Sequence, residues 1–239
     1  MTQFDYQGVL TSKKYIAPDT VELKIRLVQP TEIHFTAGQF VNIQAGDKLF
    51  RPYSIASAPS QKSELHFAIK LVKGGKASAV FEHIQVGSKV NVKGPFGKFV
   101  VSDEADRPDR RNRFIFVASG TGLAPVLSQL KALFEQKNHL PKTLYFGFYD
   151  SARYLYREML ETWEKEHLEF RVVPVVSDQP VDVPWEGERG FVTALLEKDI
   201  TDVNGLDVYV CGNPLMVQAV KPILLVKGVD PKHVHEERF

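Results

Sequence analysis

Five short segments carry the residue types whose order suggests chemistry. Arg51-Pro52-Tyr53-Ser54 places a guanidinium, a phenol ring and a hydroxyl side by side. The planar guanidinium fork suits a phosphate. The ring can lie on an aromatic cofactor, and the serine hydroxyl can bond a ring nitrogen. An ordinary strand start would read the same. Gly74-Gly75-Lys76-Ala77-Ser78 opens a helix-like stretch. The free N–H groups and positive dipole of a helix start suit a diphosphate, while a hairpin turn with a cap is an equal reading. Ser119-Gly120-Thr121-Gly122-Leu123-Ala124-Pro125 lies between a strand and a helix. It matches only the first part of the three-glycine dinucleotide fingerprint, and a ligand-free turn stays open. Cys211-Gly212-Asn213-Pro214 follows a later strand. A lone cysteine is usually a small buried hydrophobe, and no nearby base in sequence argues for a thiolate. The chain ends on Val234-His235-Glu236-Glu237-Arg238-Phe239, a place where chains fray. His233 and His235 lack a third ligand, so no metal is expected.

The elements that must position these segments change character along the chain. In Val21–Val28, Val21, Leu23, Ile25 and Leu27 alternate with Glu22, Lys24 and Arg26. Period two predicts a half-buried antiparallel strand. Phe40–Gln44, Pro52–Ala56, Glu64–Leu71 and Lys89–Lys93 are further short extended runs, and Ser78–Ile84 is helix-like. Several close-spaced strands predict a barrel or sandwich. Ser102–Arg113 has eight charged residues in twelve and reads as a linker or exposed loop. Beyond it, Phe114–Ala118 is the continuous apolar run of a strand buried on both faces. Leu123–Gln136, Tyr154–Glu166, Val192–Leu196 and Pro214–Lys227 read as helices. They alternate with strands at Thr143–Tyr149, Glu169–Val176 and Asp207–Val210. Such alternation predicts a doubly wound parallel α/β unit. The expected domains are 1–106, an antiparallel Greek-key β-barrel, and 107–239, the α/β domain.

Composition bounds the function classes. The 239 residues are 44% hydrophobic and 25% charged, ordinary for a globular chain, with a net charge of +1. That balance argues against a nucleic-acid partner. The single cysteine, Cys211, cannot build a disulfide or a thiolate-ligated iron–sulfur cluster within these residues. Nothing resembles a secretory leader or a membrane-spanning run, so a cytoplasmic monomer without membrane insertion is expected.

In order, Arg-x-Tyr-Ser, Gly-x-x-Ser, Gly-Thr-Gly-x-Ala-Pro, Cys-Gly-x-Pro and Glu-x-Phe make a series that resembles the ferredoxin–NADP reductase superfamily. The likeness spans essentially the whole chain. Glu64–Ser78, Gly94-Pro95-Phe96-Gly97 and Trp185-x-Gly187-x-x-Gly190-Phe191-Val192 extend it, the last looking like the oxygenase reductases. The resemblance implies a barrel that binds FAD and an α/β domain that binds NADH or NADPH. Arg51 would meet the FAD phosphate, Pro52 and Tyr53 would lie at the flavin, and Ser54 would bond near flavin N5. Ala68, Ile69 and Lys70 would follow the flavin and ribityl chain, and Gly75, Lys76, Ala77 and Ser78 would cradle the pyrophosphate. Gly120, Thr121, Gly122 and Pro125 would meet the nicotinamide nucleotide, with Cys211, Gly212 and Pro214 beside the nicotinamide. Phe239 would cover the second flavin face as a gate, and Glu237 would add a polar contact. Ser54, Cys211, Glu237 and Phe239 are thus the expected catalytic set.

Hydride would pass from nicotinamide C4 to flavin N5, the protein supplying alignment. The resemblance implies that NADP-specific members place a basic residue, which meets the 2′-phosphate, just after the Ser of the third parallel strand; here Asp178 follows Ser177, and a carboxylate would repel that phosphate, so NADH is expected over NADPH. Arg153, Arg157 and Arg189 lie close enough in sequence to reverse that reading. With no cysteines for a cluster, electrons would go to a separate ferredoxin, flavodoxin or oxygenase component. Arg51, Lys70, Lys73, Lys76, Lys93 and Lys98 would form a docking face if they share one; solvated strand-edge lysines are the equal alternative. A free-flavin reductase and a non-enzymatic module on the same fold are the other readings.

Overall fold

The computed structural model describes residues 4–101 and 113–238. The chain divides into two compact units: Met1–Val101 with Leu127–Gln136, and Ser102–Val126 with Lys137–Phe239. The expected boundary at 106 lies outside the described residues.

The first unit is a six-stranded antiparallel sheet. Its strands are β1 (Phe4–Ala17), β2 (Thr20–Gln29), β3 (Phe40–Gln44), β4 (Phe50–Ser54), β5 (Glu64–Lys70) and β6 (Lys89–Phe96), with helix α1 (Lys76–His83) between the last two. The order is β4-β3-β6-β1-β2-β5. Its two end strands meet where Ala56 N–H donates to His66 C=O at 2.8 Å, so the sheet curls toward a barrel. The period-two face of β2 is the reason it holds. Val21, Leu23 and Ile25 are fully buried with Phe67, Val41 and Val92, while Glu22, Lys24 and Arg26 face outward. The unit also includes residues 127–136. Ser128 Oγ donates to Ser57 C=O at 2.8 Å and Gln129 Nε2 to Phe99 C=O at 2.8 Å. Lys131 Nζ donates to Ala56 C=O at 2.8 Å.

The second unit is a six-stranded sheet in which every adjacent pair is parallel. It comprises β7 (Arg113–Ser119), β8 (Lys142–Phe148), β9 (Phe170–Val176), β10 (Glu188–Arg189), β11 (Leu206–Gly212) and β12 (Val234–Arg238). Helices α2 (Leu123–Glu135), α3 (Arg157–Glu166), α4 (Val192–Asp199) and α5 (Pro214–Val226) alternate with them. The order is β10-β9-β8-β7-β11-β12. Central strands read as continuous apolar runs because both faces are covered, and all of β11 is buried.

Three local differences from the sequence reading have physical causes. Helix α3 starts at Arg157 rather than Tyr154, because Tyr156 sits in the left-handed region with φ 55°. Strand β11 runs on through Cys211 and Gly212, because they pair with Glu237 and Arg238. The terminus is therefore no frayed end but a paired edge strand, β12.

The ends of β7 and β11 approach so closely that side chains are excluded. A Cβ on Gly122 would lie 2.4 Å from Cys211 O, and one on Gly212 would lie 2.5 Å from Ser119 Oγ. Gly120, with φ 53°, has open space where its Cβ would be. Gly122→Ala is thus expected to cost about 3 kcal/mol, the upper range for overpacking. Gly120→Ala should cost only about 1 kcal/mol, the left-handed backbone penalty. Urea midpoints at unchanged slope check both.

Burial holds the Lys131 pKa down to about 8, from 10.5. Between those values the unfolded chain binds more protons than the folded one, so this group adds stability as pH rises from about 8. Lys131→Met should flatten the stability profile between about pH 8 and 10 in urea melts, against wild type.

Candidate functional site

Each unit carries its own cluster of candidate residues. In the first, Arg51, Tyr53 and Ser54 lie along β4, paired with β3 at Ile43, Val41 and Phe40. Exposure falls toward the end of the strand: Arg51 and Pro52 are exposed, Tyr53 half-buried and Ser54 buried. The Tyr53 ring meets Phe81 of α1 edge-on, 5.3 Å between centroids. Burial raises its pKa to about 12, against a smaller opposing pull from Arg51, so the phenol stays neutral. Ser54 Oγ is buried and has no hydrogen-bond partner among the described residues. A hydroxyl so placed costs free energy until something bonds it. That orphan is the observation that fits a polar-edged ring such as a flavin.

The phosphate-loop residues gather at the start of α1. Gly75 caps the helix with no side-chain bond to its first N–H groups. Ser78 Oγ instead accepts from Val72 N–H at 2.8 Å, and Gly75 N–H donates to Val72 C=O at 2.9 Å. The tight loop keeps the helix start open to an anion. Ala68 and Ile69 are buried in β5, and exposed Lys70 reaches Asp19 at 3.8 Å. Lys93 pairs with Asp5 at 3.5 Å. Two of the six cations read as a docking face or as solvated strand-edge residues are therefore partly committed, while Arg51, Lys73, Lys76 and Lys98 are exposed.

In the second unit, Gly120–Gly122 forms one 3-10 turn between β7 and α2. Ser119 Oγ accepts from Asn213 N–H at 3.0 Å, joining this turn to the one after β11. Asn213 caps α5 by accepting from Leu215 N–H at 2.8 Å, with Pro214 in the first turn. Thr121, Gly122, Gly212 and Pro214 thus come together as expected at the carboxyl ends of parallel strands. Cys211 differs. It is fully buried, and burial, then the charge of nearby Glu237, pushes its thiol well up, so it stays neutral. Glu237 is half-buried opposite it on β12. Phe239 lies outside the described residues.

Ser177 and Asp178 are exposed just past β9, held by bonds from their N–H groups to Phe148 C=O and Tyr149 C=O. The nearby Asp178 side chain raises the Tyr149 pKa. Arg153 is paired with Asp150, and Arg157 with Glu161 at 2.7 Å. Arg189 is exposed on β10.

Sequence reasoning missed the partner of the terminal histidines. His235 Nε2 meets Asp207 Oδ1 at 2.9 Å, and His233 Nδ1 lies 3.6 Å from the same oxygen. Asp207 is fully buried and also accepts from the Tyr209 hydroxyl at 2.9 Å. Only the parallel register of β11 and β12 brings them together. Among the described residues no cluster of three or more His, Cys, Asp or Glu could hold a metal. No helix there is long and apolar enough to cross a membrane.

Comparison with known proteins agrees with this division. Residues 7–101 match the oxidoreductase FAD-binding domain model and 116–222 the oxidoreductase NAD-binding domain model. The chain is 32% identical over 235 residues to the naphthalene 1,2-dioxygenase system ferredoxin–NAD(P)+ reductase component of Pseudomonas putida. That match covers 98% of the chain and 68% of the relative. It superposes on Amycolatopsis cytochrome P450 reductase GcoB with a TM-score of 0.90 at 26% identity, covering 99% of the chain and 70% of GcoB. A ferredoxin NADP+ reductase from Neisseria gonorrhoeae shares the fold alone, with a TM-score of 0.83 at 20% identity over 100% of the chain and 99% of that structure. With both domain models in order and a relative of this identity, the chain belongs to the ferredoxin–NADP reductase superfamily of FAD-dependent NAD(P)H reductases.

Proposed function

We propose that this protein is the reductase component of a multicomponent system, taking electrons from NADH and passing them to a separate ferredoxin or oxygenase component. The orphaned Ser54 hydroxyl carries the reading, because a buried donor without a partner marks where a cofactor edge belongs. FAD bound there supplies the two-electron chemistry. Tyr53 offers its ring, Arg51 its guanidinium, and the Gly75–Ser78 loop its helix start for the phosphates. In the second unit, the Gly120–Gly122 turn with Gly212 and Pro214 binds the nicotinamide nucleotide. Glu237 and Phe239 complete the catalytic set with Ser54. Cys211 acts as a neutral wall behind the nicotinamide position rather than as a reacting thiolate. Relatives named as reductase components of oxygenase systems support the separate acceptor. The single buried cysteine supports a reducing cytoplasm.

The preference for NADH rests on exposed Asp178 and on the pairing of two nearby arginines. A ribose hydroxyl can donate to that carboxylate, whereas a 2′-phosphate would be repelled. Asp178→Asn is expected to lower the NADH-to-NADPH ratio of kcat/KM roughly tenfold, the worth of one charge contact. An unchanged ratio in steady-state assays rejects the role of Asp178. Ser54→Ala should slow NADH-driven bleaching of the flavin roughly tenfold or more, as expected for losing one hydrogen bond to a charged group, while FAD stays bound. Anaerobic stopped-flow absorbance measures both; an unaltered rate removes Ser54 from the site.

A further inference from the structure

Strand β12 is an edge strand with little apolar surface to hold it. Of Val234, His235, Glu236, Glu237 and Arg238, only Val234 is buried. Its register matters, because Glu237 lies opposite Cys211 near the carboxyl end of β11. The register of a polar edge strand is weakly specified, and a slip of one residue turns every side chain to the other face. Here such a slip would set Glu236 or Arg238 opposite Cys211 in place of Glu237. One small buried valine does little to prevent it.

Period two puts Asp207, Tyr209 and Cys211 on one face of β11, with His235 and Glu237 beside them on β12. On that face His235 Nε2 donates to Asp207 Oδ1 at 2.9 Å. The His235 ring also stacks on Tyr209, with centroids 4.5 Å apart and planes at 16°. Asp207 is fully buried. A carboxylate taken out of water is costly unless donors meet it, so it holds the imidazole to one place. On the opposite face Glu236 Oε2 meets Lys221 of α5 at 3.3 Å. That lysine side chain is 42% exposed, so water screens the pair and weakens its hold. The buried Asp207–His235 bond is the stronger of the two ties.

We infer that Asp207 and His235 are positioning residues: their bond fixes the register of β12 and so holds Glu237 beside Cys211. The inference rests on the catalytic role proposed above for Glu237. His235 precedes Glu237 by two residues, roughly 7 Å along the strand, so the clamp acts through the β12 backbone.

The test uses the full chain loaded with FAD and two measurements. Cys211, the single cysteine, reports on β12 directly through its rate of labelling by a thiol reagent. Anaerobic stopped-flow reduction by NADH reports on Glu237. In His235→Asn the amide ends short of the position of Nε2 and the bond to Asp207 is lost, whereas the longer amide of His235→Gln can still donate. His235→Asn should label Cys211 roughly tenfold faster, the loss of one hydrogen bond to a charged group. It should also slow flavin reduction about as much as Glu237→Gln does, roughly tenfold. His235→Gln should restore both rates, which a general loss of packing would not allow. The double variant His235→Asn with Glu237→Gln should be no slower than either single one, because both changes remove the same contact. Wild-type behaviour of His235→Asn in either measurement, failure of His235→Gln to restore them, or losses that multiply in the double variant overturns the positioning role. A wild-type reduction rate in Glu237→Gln alone instead removes Glu237 from the catalytic set, and the positioning role falls with it.

Discussion

The α/β unit depends on one close approach, between the carboxyl ends of β7 and β11. Gly122 and Gly212 remove the side chains that would hold these ends apart, and Ser119 Oγ ties the gap through Asn213 N–H. Everything else at this end of the sheet follows. The Gly120–Gly122 turn is set against the start of α2, and Asn213 and Pro214 start α5 at the same level. Two helix starts beside two strand ends make a concave surface with outward N–H groups, which suits a nucleotide. The approach also explains the burial of Cys211, whose carbonyl would be 2.4 Å from any Cβ at 122.

The interior charge pattern is consistent with this use. Buried cations elsewhere are satisfied: Lys142 Nζ donates to Leu140 C=O at 2.6 Å and Asn138 C=O at 2.5 Å, and Lys131 Nζ donates to Ala56 C=O. The Tyr53 phenol and the Cys211 thiol are held neutral by burial. The Ser54 hydroxyl, by contrast, is buried without a partner among the described residues. Native interiors rarely leave such a group unbonded, which fits a cofactor edge beside it.

Much of this was legible from residue order. Alternation in Val21–Val28 assigned the outward and inward faces of β2, because only an antiparallel sheet half-open to water rewards period two. The apolar run Phe114–Ala118 marked a central parallel strand for the converse reason. The motif residues of β4 and of the two glycine turns stood out by type and order, their roles were implied by the family resemblance, and the structure sets each cluster within one unit. Tyr156 in the left-handed region was not legible, since no propensity favours a tyrosine there. Nor was β12, because a polar stretch at a chain end has no apolar pattern to betray its pairing.

The sequence by itself determined most of the element types, the two successive architectures, and the residue chemistry of the cofactor motifs. Those depend on local periodicity and on side-chain identity, which are written in order along the chain. Tertiary structure alone decided what the side chains meet. It buried Cys211, set Asp207 against two histidines and Tyr209, and paired Arg153 and Arg157 with carboxylates. Strand register fixes these encounters, and register comes from the packing of whole faces rather than from any one segment.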